Sequence, residues 1–366
     1  MVNPHLLANF ISPFLLAGLT SFVVTLIVIT IYRRFGWLDD PTKTRLAKTT
    51  HTYPVPRGGG IPIAIAVALT IILYLGIDKH TIAILTAVFL LAVTGVADDL
   101  KDVNPYLRLA IGLIAALFII ASGISIAFIT NPFGGIIHLD QPRLILNFLG
   151  SSHQFWLLAN LIALLWIVWT MNMVNWAKGL DGQLPGIVII AALTIALLSL
   201  RFTEDVTQWS VISLAALTAG AYAGFLPWNI YPQKIMPGYG AGSIAGFLLA
   251  IISILSGAKL ATMIIVLGIP TLDAIYTVAR RLAAGKSPVW GDRGHLHHKL
   301  LDSGFSKRQV AFFYWLVTAI LGFIALYLNS RQKLFTIVLL TVLVGGLLIW
   351  LNYFLSSSKP PGRANG

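Results

Sequence analysis

The chain has 366 residues, 57% of them hydrophobic and only 10% charged, against about 25% charged in soluble domains. This excludes a soluble globular enzyme, and the absence of cysteine excludes disulfides and thiol chemistry. The net charge of +12 suits anionic lipid head groups and anionic substrates; nucleic acid is excluded, because the basic residues are split among loops between apolar runs.

Apolar runs of roughly 20 residues recur, which predicts an all-α polytopic membrane protein. The alternating ten-residue segments of a membrane barrel are absent. About eleven transmembrane helices are expected, over residues 13–32, 60–75, 82–97, 109–129, 155–171, 184–200, 209–225, 243–255, 260–278, 310–328 and 334–355. The first lacks the basic leader and small-residue cleavage site of a signal peptide. The polar loops are too short for a separate soluble domain, so residues 1–366 are expected to form one membrane domain with a short polar tail over 356–366.

Basic residues set the orientation. The loops after the odd-numbered spans and the tail hold 19 of the 25 Lys and Arg. The other side holds Lys79, Arg143, Arg201, Lys259, Arg331 and Lys333. The expected topology is therefore N-out, C-in, and it gathers every unusual polar stretch on the cytoplasmic face.

Those stretches follow in chain order. The first loop carries Asp39-Asp40, His51 and the run PVPRGGG, whose glycines can expose backbone N–H groups to an anion while Arg57 adds charge. Asp98 and Asp99 end the third span. Acids at a helix C-terminus oppose the macrodipole, which favours a functional reading over a simple cap. Such a pair can bind a divalent cation or share a proton. Next comes NMVNWAKGLDG, with Asn172, Asn175, Lys178, Gly179, Asp181 and Gly182 at a membrane edge. Polar groups are costly there unless they have a purpose. Asn229 and the run Gly238–Ser243 form the fourth stretch. The fifth holds Arg293, His295, His297 and His298; without cysteine and with few nearby acids, phosphate or sugar contacts are favoured over zinc.

Together these motifs resemble the polyprenyl-phosphate N-acetylhexosamine-1-phosphate transferases of glycosyl transferase family 4. The matching pieces are His51 with PVPRGGG, ADDLKD at residues 97–102, NMVNWAKGLDG, Asn229, Pro270 with Asp273, and GDRGHLHHKLLDSGFSKRQ at 291–309. The last is the most specific and is similar to the bacterial N-acetylglucosamine branch. The resemblance implies transfer of a sugar 1-phosphate from a UDP-sugar to a polyprenyl phosphate, with release of UMP and with Mg2+ as cofactor. It implies catalytic roles for Asp98, Asp99 and Asp181, with Asp98 the better candidate to orient the lipid phosphate; Lys178, in the same motif, is a further catalytic candidate read from its own charge. Substrate contacts are implied for His51, Arg57, Asn172, Asn175, Asn229, Arg293, His295, His297 and His298, and metal contacts for Asn175 and Asp181. It further implies a bacterial cytoplasmic-membrane location, and allows a homodimer.

The chain departs from the family pattern twice. In NxxNxxDGxDG the first acid is here Lys178. In GDxGS the metal-binding acid is here Gly240. Three explanations stay open: an inactive protein, weak metal binding through Asn175, Asp181 and the aspartate pair, or Lys178 acting in place of the metal. On the last, Lys178→Asp with Gly240→Asp is expected to restore magnesium dependence. The alternative to the enzyme is a non-catalytic lipid-phosphate or sugar-nucleotide binding paralogue. A transporter ranks last, because Asp273 is the main polar residue deep within a span.

Overall fold

The computed structural model describes residues 4–43, 49–148, 151–257 and 259–357. Arg45 and Lys48 of the first basic loop, and the tail from 358 onward, lie outside the described residues. The helices in chain order are α1 (Pro4–Phe35), α2 (Gly60–Tyr74), α3 (Lys79–Lys101), α4 (Pro105–Ala121), α5 (Leu157–Trp176), α6 (Gln183–Ser199), α7 (Thr207–Asn229), α8 (Gly238–Leu255), α9 (Leu260–Val266), α10 (Gly268–Ala283), α11 (Leu296–Asp302), α12 (Lys307–Tyr327) and α13 (Ser330–Ser357). Among the described residues eight are long and apolar enough to cross a membrane, and α2 and α4 are shorter apolar helices.

Several boundaries follow from local chemistry. Asp78 caps α3 in a reciprocal box with Thr81: Thr81 N–H donates to Asp78 Oδ1 (2.7 Å), and Asp78 N–H donates to Thr81 Oγ1 (2.8 Å). Asn104 caps α4 by accepting from Tyr106 N–H, ahead of Pro105 at the first helical position. Ser306 and Gln309 box the start of α12.

Two expected spans are corrected. The fourth, expected to reach residue 129, stops at Ala121. There the Ser122 hydroxyl turns back onto Ile119 C=O, and Gly123 takes φ +96°. The chain then forms a ribbon, β3 (Phe128–Thr130) against β4 (Ile136–His138), followed by β5 (Arg143–Phe148) against β6 (Ser151–Trp156), both antiparallel. The ninth expected span is a broken pair, α9 and α10 meeting at 83°. Pro270 lies just past the break and has no N–H to continue the ladder across it.

The core is built on close backbone approach, since lipid supplies little hydrophobic drive between helices. Helix α8 is buried from Gly238 to Ile254. Its Gly246 faces the backbone of Thr170 and Met171 on α5, and its Gly242 faces Asn175. Its Gly240 meets Gly60 of α2 and Gly95 of α3: a Cβ on Gly95 would fall 2.5 Å from Gly240 Cα, and one on Gly60 2.9 Å from it. On the other flank, α7 lays Gly220 and Gly224 directly on the α1 backbone at Phe14 and Gly18. An apolar cleft of about 250 Å³ lies beside the α9–α10 bend, between Trp166 and Trp169 of α5, Leu272 and Ile275 of α10, and Leu340 of α13.

Gly224→Leu is therefore expected to destabilise the fold by about 1–3 kcal/mol, the usual cost of overpacking. Gly345→Leu, with nothing within 4 Å of its added Cβ, should leave stability unchanged. Thermal unfolding of the purified protein in detergent checks both; equal midpoints for the two variants would contradict this packing.

Candidate active site

A two-stranded ribbon, β1 (Leu38–Asp39) against β2 (Val55–Pro56), delivers the first polar loop to the bundle end. It is zipped onto the segment before α8: Met236 N–H donates to Pro56 C=O (2.8 Å) and Gly59 N–H to Met236 C=O (3.1 Å). This fixes Arg57, whose guanidinium reaches four carboxylates. Nε lies 3.3 Å from Asp99, Nη2 3.4 Å from Asp98, and Nη1 3.2 Å from Asp102 and 3.8 Å from Asp39. His51 is buried beside Asp39, its Nε2 3.3 Å from the Asp39 carbonyl.

Asp98 is wholly buried at the end of α3. Both its oxygens are engaged, Oδ1 by Arg108 at 2.9 Å and Oδ2 by Arg57. Asp99 Oδ1 accepts from Tyr239 N–H (3.1 Å), and its carboxylate packs on Gly238, which takes φ +66°. Tyr239 in turn spans to α4, donating from its hydroxyl to Arg108 C=O, with the Arg108 guanidinium 5.1 Å above its ring. An unpaired buried charge is expensive, and here each acid has a cation.

The turn after α5 brings in the third motif. Lys178 Nζ donates to Gly238 C=O at 2.7 Å and lies 5.7 Å over the Tyr239 ring. Burial pulls its ammonium below the ordinary lysine value, while the neighbouring Asp99 favours the charged form. Gly182, at φ +77°, opens α6; its N–H donates to Asn229 Oδ1 (3.0 Å) and its C=O accepts from Trp315 Nε1 (3.1 Å). Asn229 also donates to Gln233 Oε1 and Ile235 C=O, so its amide ties the Gly182 turn to the loop before α8. Asp181 accepts from Gln233 N–H at 3.3 Å and faces Lys307 at 3.6 Å. Asn172 donates back to Val168 C=O on its own helix. Asn175 is pressed against Gly242.

The histidine loop closes over this turn. Asp273 of α10 holds it, accepting from Leu296 N–H (2.8 Å) and lying 2.9 Å from His295 Nδ1. Asp292 is pinned by Arg280 (2.7 Å) and Arg281 (3.0 Å). Burial alone would raise its pKa, but hydrogen bonds from Arg281, the Gly294 N–H and Arg280 hold it well below the carboxylate range. Arg293 reaches outward to Asp302 at 2.6 Å. His297 packs directly on Gly179, whose carbonyl accepts from Thr50. Burial lowers the pKa of His297 and brings that of His298 to about 4, so both rings are neutral near pH 7.

The aspartate pair, Arg57, Lys178, Asn175, Asp181 and the histidines thus meet at one end of the bundle. Sequence reasoning missed Arg108, Tyr239, Gln233 and Lys307. Arg108 carried a signal: a cation in the first turn of a helix opposes the dipole just as the acids ending α3 do. Five motif side chains keep buried polar atoms without a hydrogen-bond partner: His51 Nδ1, Asn175 Oδ1, Asp181 Oδ1, His297 Nδ1 and His298 Nδ1. Such orphans mark a place for a polar ligand.

The family resemblance implies Mg2+, and the orphaned oxygens of Asn175 and Asp181 are the ones that could hold it. The rest of the donor set does not fit. Mg2+ asks for near-octahedral oxygen ligands. Lys178 puts an ammonium into the same turn, and Lys307 faces Asp181. Among the described residues no three His, Asp or Glu side chains form a metal-holding group. A Cβ at Gly240 would lie 3.1 Å from Gly60 Cα and 3.4 Å from Gly95 Cα, a tight fit at the first contact.

The buried acids, fixed arginines and unpartnered polar groups thus gather at one end of a helical membrane bundle. The sequence profile described as "Glycosyl transferase family 4" matches residues 81–257. The chain is 32% identical over 302 residues to a phospho-N-acetylmuramoyl-pentapeptide-transferase of Caldanaerobacter subterraneus subsp. tengcongensis, covering 79% of this chain and 87% of that protein. It is 28% identical over 340 residues to a probable undecaprenyl-phosphate N-acetylglucosaminyl 1-phosphate transferase of Bacillus subtilis, covering 90% and 88%. It is 27% identical over 344 residues to a decaprenyl-phosphate N-acetylglucosaminephosphotransferase of Mycolicibacterium smegmatis, covering 84% and 80%. The chain belongs to glycosyl transferase family 4.

The buried histidines give a pH signature. With a folded pKa near 4 against about 6.5 unfolded, His298 binds its proton more tightly in the unfolded chain. Its contribution to stability is complete above pH 6.5 and is lost as pH falls toward 4. The unfolding midpoint should drop across that window, and His298→Gln should flatten the drop; an unaltered slope would contradict a neutral, buried His298.

Proposed function

We propose that this chain transfers an N-acetylhexosamine 1-phosphate from a UDP-sugar to a polyprenyl phosphate, releasing UMP, as an early step in making a cell-envelope glycan. The observation that carries this is the coverage of the similarity: relatives named for this transfer match 90% and 84% of the chain. An oxygen of the lipid phosphate attacks the sugar-bearing β-phosphorus. The bond from that phosphorus to the bridging oxygen breaks, and UMP leaves with the oxygen and its electron pair. A dianionic lipid phosphate has no proton to lose, so alignment and charge neutralisation are the protein's tasks. The engaged oxygens of Asp98 favour a role in holding Arg57 and Arg108, which leaves Asp99, beside the Lys178 turn, as the acid nearer the reacting phosphates. The cleft beside the α9–α10 bend suits the lipid tail, and the unpartnered groups around 175–181 suit the sugar nucleotide.

The finer topology is part of the same proposal: eleven crossings, with the α9–α10 pair and the two short helices each counted once, N-out and C-in, in a bacterial cytoplasmic membrane with the site inside. A homodimer is also proposed from the family alone. The excess of Lys and Arg in the flanking loops supports the orientation. Because the chain has no cysteine, Ser287→Cys or Ser303→Cys introduces a unique label. Either should resist an impermeant thiol reagent on intact cells; ready labelling would overturn the orientation.

The direct test is an assay of purified protein with UDP-N-acetylglucosamine and undecaprenyl phosphate, following UMP release. Asp99→Asn is expected to cut turnover by at least roughly a hundredfold, the scale of a lost charge or proton partner. Wild-type turnover in both Asp98→Asn and Asp99→Asn would remove the catalytic reading of the pair. Binding of the nucleotide without any turnover would favour the non-catalytic paralogue instead.

A further inference from the structure

We infer that Lys178, together with Arg57, is the cation set that receives the diphosphate of the sugar nucleotide, and that this chain binds its donor without a divalent metal. The inference rests on the transferase reading and deepens it. Its first support is placement. Lys178 occupies the turn that carries Asn175 and Asp181, and its ammonium is fixed by Gly238 C=O at 2.7 Å. The residue as a whole is partly exposed, while its ammonium lies among Gly238 C=O, Asp99 and the Tyr239 ring.

The second support is packing. Gly60, Gly95 and Gly240 pack backbone to backbone, and a side chain at 240 would press on Gly60 Cα at 3.1 Å. The residue that stands in place of the acid is therefore inside a helix crossing and not on the surface. The third is charge. The enclosed acids of the site are Asp98, Asp99 and Asp181, whose side chains are 0%, 2% and 0% exposed, with Asp39 at 21%, the same as Arg57 itself. Arg57, Arg108, Lys178 and Lys307 face them, four cations to four anions. Asp102, the remaining partner of Arg57, is 72% exposed and so is screened by water. The enclosed centre is balanced by its own side chains, and an acid at 178 would have left it short of positive charge. The fourth is the set of buried atoms without a hydrogen-bond partner on His51, Asn175, Asp181 and His297, groups that a polar ligand would satisfy. An incoming diphosphate supplies the counter-charge that keeps the Lys178 ammonium protonated. Lysine serves such a group as a compact point charge, and the guanidinium of Arg57 adds direction.

The test uses the full chain in detergent and calorimetric binding of UDP-N-acetylglucosamine, in excess chelator and again with Mg2+. Equal affinity in the two conditions is expected. Lys178→Met should weaken binding about tenfold to a hundredfold in both, the loss of one charge-assisted hydrogen bond, and Lys178→Arg should keep metal-free binding. Wild-type binding that disappears in chelator and returns with Mg2+ overturns the inference, and needs no variant to fold. So does unchanged affinity in Lys178→Met. Inorganic diphosphate is the second probe and separates the two readings. Metal-free diphosphate binding that Lys178→Met abolishes, in a protein that never releases UMP, keeps the anion site and sinks the transferase. Turnover that strictly requires Mg2+ keeps the transferase and sinks the anion site.

Discussion

The arrangement depends on three glycines. Where α2, α3 and α8 cross, Gly60, Gly95 and Gly240 bring their backbones together with no side chain between them. Asp98 and Asp99 follow Gly95 by one helical turn, Arg57 precedes Gly60 by three residues, and Tyr239 adjoins Gly240. The crossing therefore sets the distance from the acids to the guanidinium and to the Tyr239 N–H. A larger residue at any of the three positions would act on the electrostatics of the site, because it would move the elements that carry the charges.

Those charges oppose their own helices and are reconciled only with one another. Asp98 and Asp99 lie at the negative end of α3, and Arg108 at the positive end of α4, each against the local dipole. The 2.9 Å pair between Asp98 and Arg108 offsets both penalties across the short α3–α4 connection. Arg57 then binds what is left, drawing on acids from two separate segments of the chain. A buried ion pair of this kind is weak evidence for stability. Its value here is positional, since it holds cations where an anionic substrate must be aligned.

Much of this was legible in the sequence. Apolar runs located the long helices, because lipid admits few alternatives to a helix. The caps at Asp78, Asn104 and Ser306 are signalled by residue type, and the polar motifs converge as their shared side of the bundle implied. The hairpins over residues 128–156 were not legible, because short apolar stretches such as Phe128–Thr130 have the same composition whether they extend a helix or pair as strands. The 83° break at Leu267 was hidden for a similar reason: Pro270 marks a boundary, but hydropathy runs through it unchanged. Arg57 read as one cation in a glycine loop, and only the fold could show four carboxylates converging on it. Gly240 read as a missing acid; that Gly60 and Gly95 pack on its backbone is a fact of the fold, invisible along the sequence.

The turn at 177–182 also sorts two kinds of chemistry. Lys178 faces the charged side, toward Asp99 and Gly238, whereas the very next residue, Gly179, carries the neutral ring of His297 on its Cα. A side chain at 179 would displace that ring, so the glycine lets imidazole and ammonium stand one residue apart. A UDP-sugar has the same division, a charged diphosphate between two neutral hydrogen-bonding groups. If the diphosphate lies against Lys178, the neutral His297 and His298 are the neighbours left for the sugar or the base. Buried neutral imidazoles can donate and accept hydrogen bonds there without adding charge. That keeps the positive field on the phosphate side, where negative charge is redistributed as one phosphorus–oxygen bond replaces another.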